Sequence, residues 1–115
     1  MRGNLGDKAR LQHILESIIE IESYLIDTDF SGFSENSMMK FACIKQLEII
    51  GEASNHISED LKRKFTTIEW SQIVGMRNVL VHEYFGVDSN LVWEIVKNDL
   101  PHLKEKVIEI INSMG

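Results

Sequence analysis

Apolar residues recur every three or four positions along most of this chain, and that spacing limits the folds open to it. An α-helix gathers residues with this spacing on one face, whereas a half-buried β-strand needs strict alternation of apolar and polar residues. Several segments show the helical spacing, and none shows the alternation. The sequence therefore predicts an all-α protein, an up-down bundle of four main helices plus a short extra helix.

Capping residues and breaks in the spacing predict where these helices begin and end. Residues that favour helix N-termini mark the expected starts at Asp7, Ser34, Ser58, Thr67 and Asp88. We expect the second helix to reach about residue 57, the short helix about residue 65, and the next helix to cover residues 68–83. Pro101 lies within the last helical pattern, so we expect a kink there or a new segment after Asn98 or Asp99.

The length and composition are those of a single globular domain. A chain of 115 residues can hold one hydrophobic core but not two, so residues 1–115 are expected to form one domain, with residues 1–6 flexible. Cys43 is the single cysteine, and its apolar surroundings predict a buried, unreactive thiol. No apolar run approaches the roughly 20 residues that span a bilayer, and no secretory signal is visible, so we expect a cytoplasmic protein.

The charge balance is acidic, with 12 Lys+Arg against 18 Asp+Glu and a net charge of −6. This argues against a protein that coats nucleic acid with a broad basic surface, but it allows a small basic cleft. Lys62, Arg63 and Lys64 form the compact basic run of the sequence. They are either a solvated helix end or a contact for RNA or a protein partner.

Polar residues interrupt an otherwise apolar helical pattern between residues 75 and 88. Arg77 and Tyr84 are seven residues apart and project in nearly the same direction, and Asn78 and His82 share a face. Burying such groups costs free energy unless each is paired, so either a structural network or a ligand site must pair them. Glu48 and Glu52 lie on the polar face of the second helix, where they are either solvated or positioned to orient Arg77.

The order Arg77-Asn78, three residues, His82, one residue and Tyr84 resembles the motif of HEPN-domain ribonucleases. In this form it is similar to the HepT subfamily, the toxins of HepT/MNT toxin–antitoxin pairs. The likeness extends to residues 47–53, 70–78 and 93–94, and it covers nearly the whole chain. The HEPN fold that it implies is also an α-helical bundle.

These residue types suit RNA cleavage without a metal ion, in which the 2′-hydroxyl attacks the adjacent phosphorus. Histidine titrates near neutrality and can move the protons, as His82 would here, and Arg77 offers a fork of donors to phosphate oxygens. Asn78 would hold the histidine tautomer or bind a phosphate oxygen. One chain supplies a single such pair, and the resemblance implies a homodimer that brings two pairs into one cleft. No His, Cys, Asp and Glu spacing matches a metal site, so we expect neither metal nor cofactor.

The resemblance also implies regulation and a partner. It implies the toxin of a type VII-like toxin–antitoxin system, a metal-independent endoribonuclease that a cognate MNT-type nucleotidyltransferase antitoxin silences by transferring AMP to Tyr84. The alternative from another class is a non-catalytic helical subunit that binds a minimal nucleotidyltransferase and its substrate. The intact motif favours the first function, and the acidic balance mildly favours the second.

Overall fold

The computed structural model describes residues 2–75 and 88–114, with side chains from residue 6 onward. Helices and turns make up these residues, and no strand occurs among them. The helices are α1 (Arg2–Tyr24), α2 (Phe30–Glu35), α3 (Ser37–Asn55), α4 (Glu59–Lys64), α5 (from residue 70 and described to residue 75), α6 (Ser89–Glu94) and α7 (Leu100–Ser113). The prediction of an all-α fold is confirmed.

Helix α1 is central to the core, because it packs against both α3 and α7. Its buried apolar residues recur every three or four positions: Leu11, Ile14, Ile18, Ile21 and Leu25. Each buried side chain of this size stabilises the fold by about 1.5–3 kcal/mol relative to full exposure. Ile19 and Ile26 also fit the helical pattern, but they are 47% and 70% exposed.

The start of α1 differs from the prediction, and Asp7 has another role. The helix begins at Arg2, so Asp7 lies inside it and does not cap it. The Asp7 side chain is buried, where its Oδ1 accepts a hydrogen bond from the Ser58 backbone N–H at 2.8 Å and its Oδ2 accepts one from the Ser58 hydroxyl at 2.6 Å. Ser58 Oγ in turn accepts a hydrogen bond from the Leu61 N–H at 3.2 Å and caps α4 as predicted. Asp7 therefore holds in place the cap of a different helix.

The predicted second helix is two helices, because Asn36 interrupts it. The Asn36 side chain accepts a hydrogen bond from the Met39 N–H at 3.0 Å and caps α3, which ends at Asn55. Ser34 is therefore near the end of α2 and does not start the longer helix. Helix α2 has its own cap in Asp29, whose Oδ1 accepts a hydrogen bond from the Gly32 N–H at 2.8 Å.

Helix α2 packs against α6 through aromatic contacts. The Phe33 ring is fully buried and lies 5.2 Å from the Trp93 ring of α6, measured between centroids. The Phe30 ring meets the same indole edge-on at 5.8 Å. Such pairs add roughly 0.5–1.5 kcal/mol beyond the area that they bury.

The last helical pattern is divided near Pro101, as predicted. Asp88 caps α6 by accepting a hydrogen bond from the Asn90 N–H at 3.0 Å. A π-helical turn, Ile95–Asp99, then joins α6 to α7. Proline has no N–H to donate, and the Leu100 N–H before it bonds to the Ile95 carbonyl, five residues back.

Helix α5 leads into the segment between residues 75 and 88. It begins at residue 70, and the Ile73 N–H bonds to the Glu69 carbonyl at 3.2 Å, so Thr67 is too early in the chain to cap it. Trp70 is 7% exposed, and its indole N–H donates to the Phe65 carbonyl at 3.1 Å. This anchor fixes the start of α5 against the end of α4.

Candidate functional site

The four residues of the motif lie outside the residues that the structure describes. Arg77, Asn78, His82 and Tyr84 belong to residues 76–87, and their predicted roles stay predictions. The structure does describe the two ends of this segment. Helix α5, anchored by Trp70, leads into it, and the Asp88 cap of α6 follows it.

The two carboxylates predicted to support Arg77 lie on α3. Glu52 Oε1 is 3.0 Å from His56 Nε2, one helical turn further on, and both side chains are about half exposed. Glu48 is less exposed, at 20% of its side chain, and its Oε2 lies 3.9 Å from Lys45 Nζ. Exposed pairs of this kind contribute at most about 1 kcal/mol to stability. A role for either carboxylate in orienting Arg77 stays a prediction.

The predicted basic run forms the last turn of α4, where cations favour the negative end of the helix dipole. Arg63 Nη2 donates to Asp60 Oδ1 within the same helix, and both side chains are exposed. Lys64 Nζ lies 5.6 Å from the centre of the Phe65 ring. Lys62 is half-buried. Part of the positive charge of this run is therefore already met by Asp60, and an RNA contact here stays a prediction.

A groove that sequence reasoning missed separates one end of α1 from one end of α3. It has a volume of about 450 Å³. Helix α1 contributes Gly6, Arg10 and His13, helix α3 contributes Glu52, and His56 is the C-cap residue of α3. The signal in the sequence was the three- and four-residue spacing of these side chains. The register that pairs the two helices was not available from the sequence.

A second groove lies between α5 and the π-helical turn with α7. It has a volume of about 510 Å³, and its walls precede and follow residues 76–87 in the chain. Ile73, Leu91 and Leu103 make its surface largely apolar, while His102 and Lys106 place nitrogen-bearing side chains along it.

Cys43 is excluded as a nucleophile. Its side chain is fully buried, as predicted, and burial raises the pKa of the thiol to about 11. A thiol with that pKa holds almost no thiolate near neutral pH, and the thiolate is the reactive form.

No candidate metal-binding site occurs in the part of the chain that the structure describes. No three His, Cys, Asp or Glu side chains among residues 6–75 and 88–114 are grouped so that they could hold a metal ion. Within the same residues, no helix is long and apolar enough to cross a membrane.

Comparison with known proteins identifies the family. Residues 14–110 match the HepT-like ribonuclease family. A protein of Methanocaldococcus jannaschii named as a candidate RNase is 46% identical over 87% of this chain and 92% of its own length. Another from the same organism, also named as a candidate RNase, is 38% identical over 93% of this chain and 92% of its own length. A protein of Thermococcus cleftensis, named as a candidate ribonuclease HepT, is 43% identical over 86% of this chain and 90% of its own length. No solved structure matches. Since the family match encloses all but the two ends of the chain, this protein belongs to the HepT-like ribonuclease family.

Proposed function

We propose that this protein is a metal-independent endoribonuclease and that Arg77, Asn78 and His82 carry the reaction. The observation that carries the proposal is the match to a ribonuclease family over residues 14–110, a range that contains the Arg-Asn-x-x-x-His sequence. The relatives named as candidate RNases are similar over most of their length, which supports an activity of the whole domain.

The proposed reaction needs a base, an acid and a positive charge at the phosphorane, and histidine and arginine side chains can supply all three. The RNA 2′-oxygen forms a bond to phosphorus and loses its proton to a base, while the bond from phosphorus to the 5′-oxygen breaks and that oxygen takes a proton from an acid. The products are a 2′,3′-cyclic phosphate and a free 5′-hydroxyl. A histidine suits either proton role, and Arg77 stabilises the charge on the phosphorane. Asn78 holds the tautomer of His82 or binds a phosphate oxygen.

A homodimer completes this chemistry, because base and acid are two separate groups. One protomer offers His82 once, whereas a two-fold axis beside the motif brings two copies of His82 and two of Arg77 into one cleft. Four nitrogen-bearing side chains then converge on the RNA, which explains how a chain with net charge −6 binds a polyanion.

Glu52 is the proposed partner that orients Arg77. It lies on α3, which the buried side chains of Leu47 and Ile50 fix in the core, so the backbone that carries the Glu52 side chain is held rigidly. Its Oε1 lies 3.0 Å from His56 Nε2. Glu48, less exposed and nearer the middle of α3, is the second choice for this role. Lys62, Arg63 and Lys64 are proposed as a peripheral RNA contact.

We further propose that this nuclease is the toxin of a type VII-like toxin–antitoxin pair. The cognate nucleotidyltransferase transfers AMP from ATP to Tyr84: the tyrosine oxygen bonds to the α-phosphorus and pyrophosphate leaves. Tyr84 lies two residues beyond His82, so the added phosphate and nucleoside bring bulk and negative charge to the place where RNA phosphate must enter. An unchanged intact mass after incubation with that enzyme and ATP contradicts this step.

The test of the nuclease is cleavage of RNA by purified protein in the presence of EDTA. Wild type is expected to cut, and His82→Ala to be inactive, because a proton-transfer group contributes about 10²–10⁴ in rate. Cleavage that EDTA abolishes, or that His82→Ala retains in full, overturns the proposed mechanism.

The second candidate function is a non-catalytic subunit that binds a nucleotidyltransferase, which the net charge of −6 mildly favours. The two functions differ in the effect of the chain expressed alone. The nuclease arrests growth and generates new RNA ends, and His82→Ala does neither. A binding subunit leaves growth unchanged in both forms.

A further inference from the structure

The groove between α1 and α3 joins side chains from two antiparallel helices. Gly6, Arg10 and His13 follow each other at three- and four-residue intervals on α1. Ile49 and Glu52 of α3 and its C-cap residue His56 follow the same intervals. The first residues of one row face the last residues of the other, so the groove lies at the seam of the helix pair. Its volume of about 450 Å³ is within the range of ligand sites.

The position of Arg10 depends on Gly6. A Cβ added to Gly6 would lie 2.7 Å from Arg10 Nη1, a distance that real side chains do not tolerate. The guanidinium group therefore lies against the backbone of α1 in the space that the glycine leaves, and Arg10 is half-buried. A guanidinium held in this way offers its fork of donors without first losing much side-chain freedom.

The nitrogen-bearing side chains of the groove, Arg10, His13 and His56, outnumber its one carboxylate, Glu52. Arg10 is permanently charged, and the exposed His13 lies one turn further along α1. Glu52 directs one carboxylate oxygen at His56, at 3.0 Å. The neighbouring Asp7 is buried and accepts two hydrogen bonds from Ser58, so its carboxylate is turned away from solvent. Arg10 and His13 are the groove residues of α1 whose side chains can donate hydrogen bonds to an anion.

We propose that this groove binds a phosphate group of RNA, as a subsite outside the Arg-Asn-x-x-x-His motif. The proposal rests on the proposed function and deepens it, because Glu52 belongs both to the groove and to the proposed surroundings of Arg77. The apolar Ile49 gives the groove a surface for the ribose between phosphates. On a chain with net charge −6, a groove with an Arg and two His side chains beside the single carboxylate of Glu52 is less acidic than the average surface and repels a polyanion less.

The experiment measures binding without cleavage. The probe is a fluorescein-labelled single-stranded RNA with 2′-O-methyl groups at every ribose, which cannot attack its own phosphates. Fluorescence anisotropy at a series of KCl concentrations gives both Kd and its salt dependence. Arg10→Gln is expected to weaken binding about tenfold and to reduce the slope of log K against log salt by about 0.7, the value for one phosphate contact on a single strand.

Gly6→Ala is the sharper variant, because it keeps every charge of the protein. The added methyl group displaces the guanidinium of Arg10, so binding and slope are expected to change in the same direction as in Arg10→Gln. Lys40→Gln is the matched control. It removes one positive charge at a position about 18 Å from Glu52 along α3, and Kd is expected to stay within about twofold.

Three results overturn the proposal: no binding of the probe by wild type, binding by Arg10→Gln and Gly6→Ala equal to that of wild type, or a loss in Lys40→Gln as large as that in Arg10→Gln. Failure of the groove is separable from failure of the nuclease. If natural RNA is cleaved by wild type and not by His82→Ala while the groove variants bind as wild type does, the groove proposal alone fails.

Discussion

The Asp7 carboxylate accepts both the backbone N–H and the hydroxyl of Ser58, at 2.8 and 2.6 Å. This pair joins the first helix to the cap of α4 across 51 residues of sequence. Because the C-cap residue of α4 is Phe65, whose carbonyl accepts a hydrogen bond from the indole N–H of Trp70, the same chain of contacts extends to the start of α5. The helix that leads into the motif segment is thus positioned from the N-terminal helix.

Asp7→Ala is expected to destabilise the fold. It leaves the Ser58 N–H and hydroxyl without their acceptor in a poorly solvated place, and such a loss costs about 1–3 kcal/mol. Urea unfolding followed by circular dichroism measures the change in the free energy of unfolding. Asp60→Ala is the control, because that carboxylate is 91% exposed and its ion pair, with Arg63, lies within α4, so little change is expected. Equal stability of the two variants contradicts a structural role for Asp7.

Replacing each of two serines near the end of α3 by alanine is expected to change the free energy of unfolding differently. Ser54 is fully buried, and its hydroxyl has no hydrogen-bond partner among the described residues, so Ser54→Ala removes an uncompensated polar group and leaves stability unchanged or raises it. Ser58→Ala removes a helix cap and the hydroxyl that donates to the buried Asp7 Oδ2, and it costs at least about 1 kcal/mol. The pair is compared by urea unfolding under the same conditions. A loss in Ser54→Ala as large as that in Ser58→Ala shows that the Ser54 hydroxyl is paired.

Gly6→Ala is expected to raise the stability of α1 while it weakens RNA binding. Glycine inside a helix is unfavourable by about 0.5–1 kcal/mol relative to alanine, and the group that must move is the flexible end of Arg10. Thermal unfolding measures the first effect, and the anisotropy assay measures the second. A drop in Tm contradicts the first, because it means that the backbone and not the Arg10 side chain has to shift.

The Cys43 thiol is expected to stay unreactive while the protein is folded. Burial raises its pKa from 9.0 to about 11, so at about pH 8 the folded state holds far less thiolate than the unfolded chain. A thiol-reactive dye should label the protein in urea and leave the native protein unlabelled over the same time. Native labelling at the unfolded rate contradicts a buried thiol.

Burial of the Cys43 thiol also affects the free energy of unfolding at alkaline pH. Because the folded state keeps the thiol proton that the unfolded chain loses, the contribution of Cys43 is fully present below the unfolded pKa and is lost as pH rises from about 9 to about 11. Other groups titrate in this window, so the measurement is the difference between wild type and Cys43→Ala in urea unfolding across it. A difference that does not change with pH contradicts the expectation.

Much of the fold was predictable from local signals. The all-α class follows from spacing alone, Asp88 and Ser58 cap the helices expected of them, and the chain forms a new segment before Pro101 because proline lacks an N–H. These features depend on neighbours in sequence, and the sequence displays those neighbours directly.

The errors arose where tertiary contacts decide the role of a polar residue. Asp7 resembles a helix cap, but its acceptor oxygens bind a serine that only the packing of α1 against α3 brings near. Asn36, not Ser34, starts the long second helix, since its amide reaches the Met39 N–H. Thr67 was expected to cap α5, which begins later, next to Glu69.

For the candidate site too, one part was predictable from the sequence and another was not. The motif from Arg77 to Tyr84 was found by spacing and resemblance, and it lies outside the described residues. The groove that contains Arg10 was not found, because it exists only in the register at which α1 and α3 meet. A sequence shows which residues share a face of one helix, but not which faces meet.

The most direct test of cleavage by attack of the 2′-hydroxyl removes that one oxygen atom from the substrate. Cleavage of a natural RNA by wild type first locates a cut, and the same RNA is then made with 2′-deoxyribose at that single position. We expect a 2′,3′-cyclic phosphate and a 5′-hydroxyl at the natural cut, seen by mass spectrometry, and no cut there in the substituted RNA. A cut that persists at the deoxy position, or 5′-phosphate ends at the natural one, would contradict attack by the 2′-hydroxyl and with it the assigned role of His82.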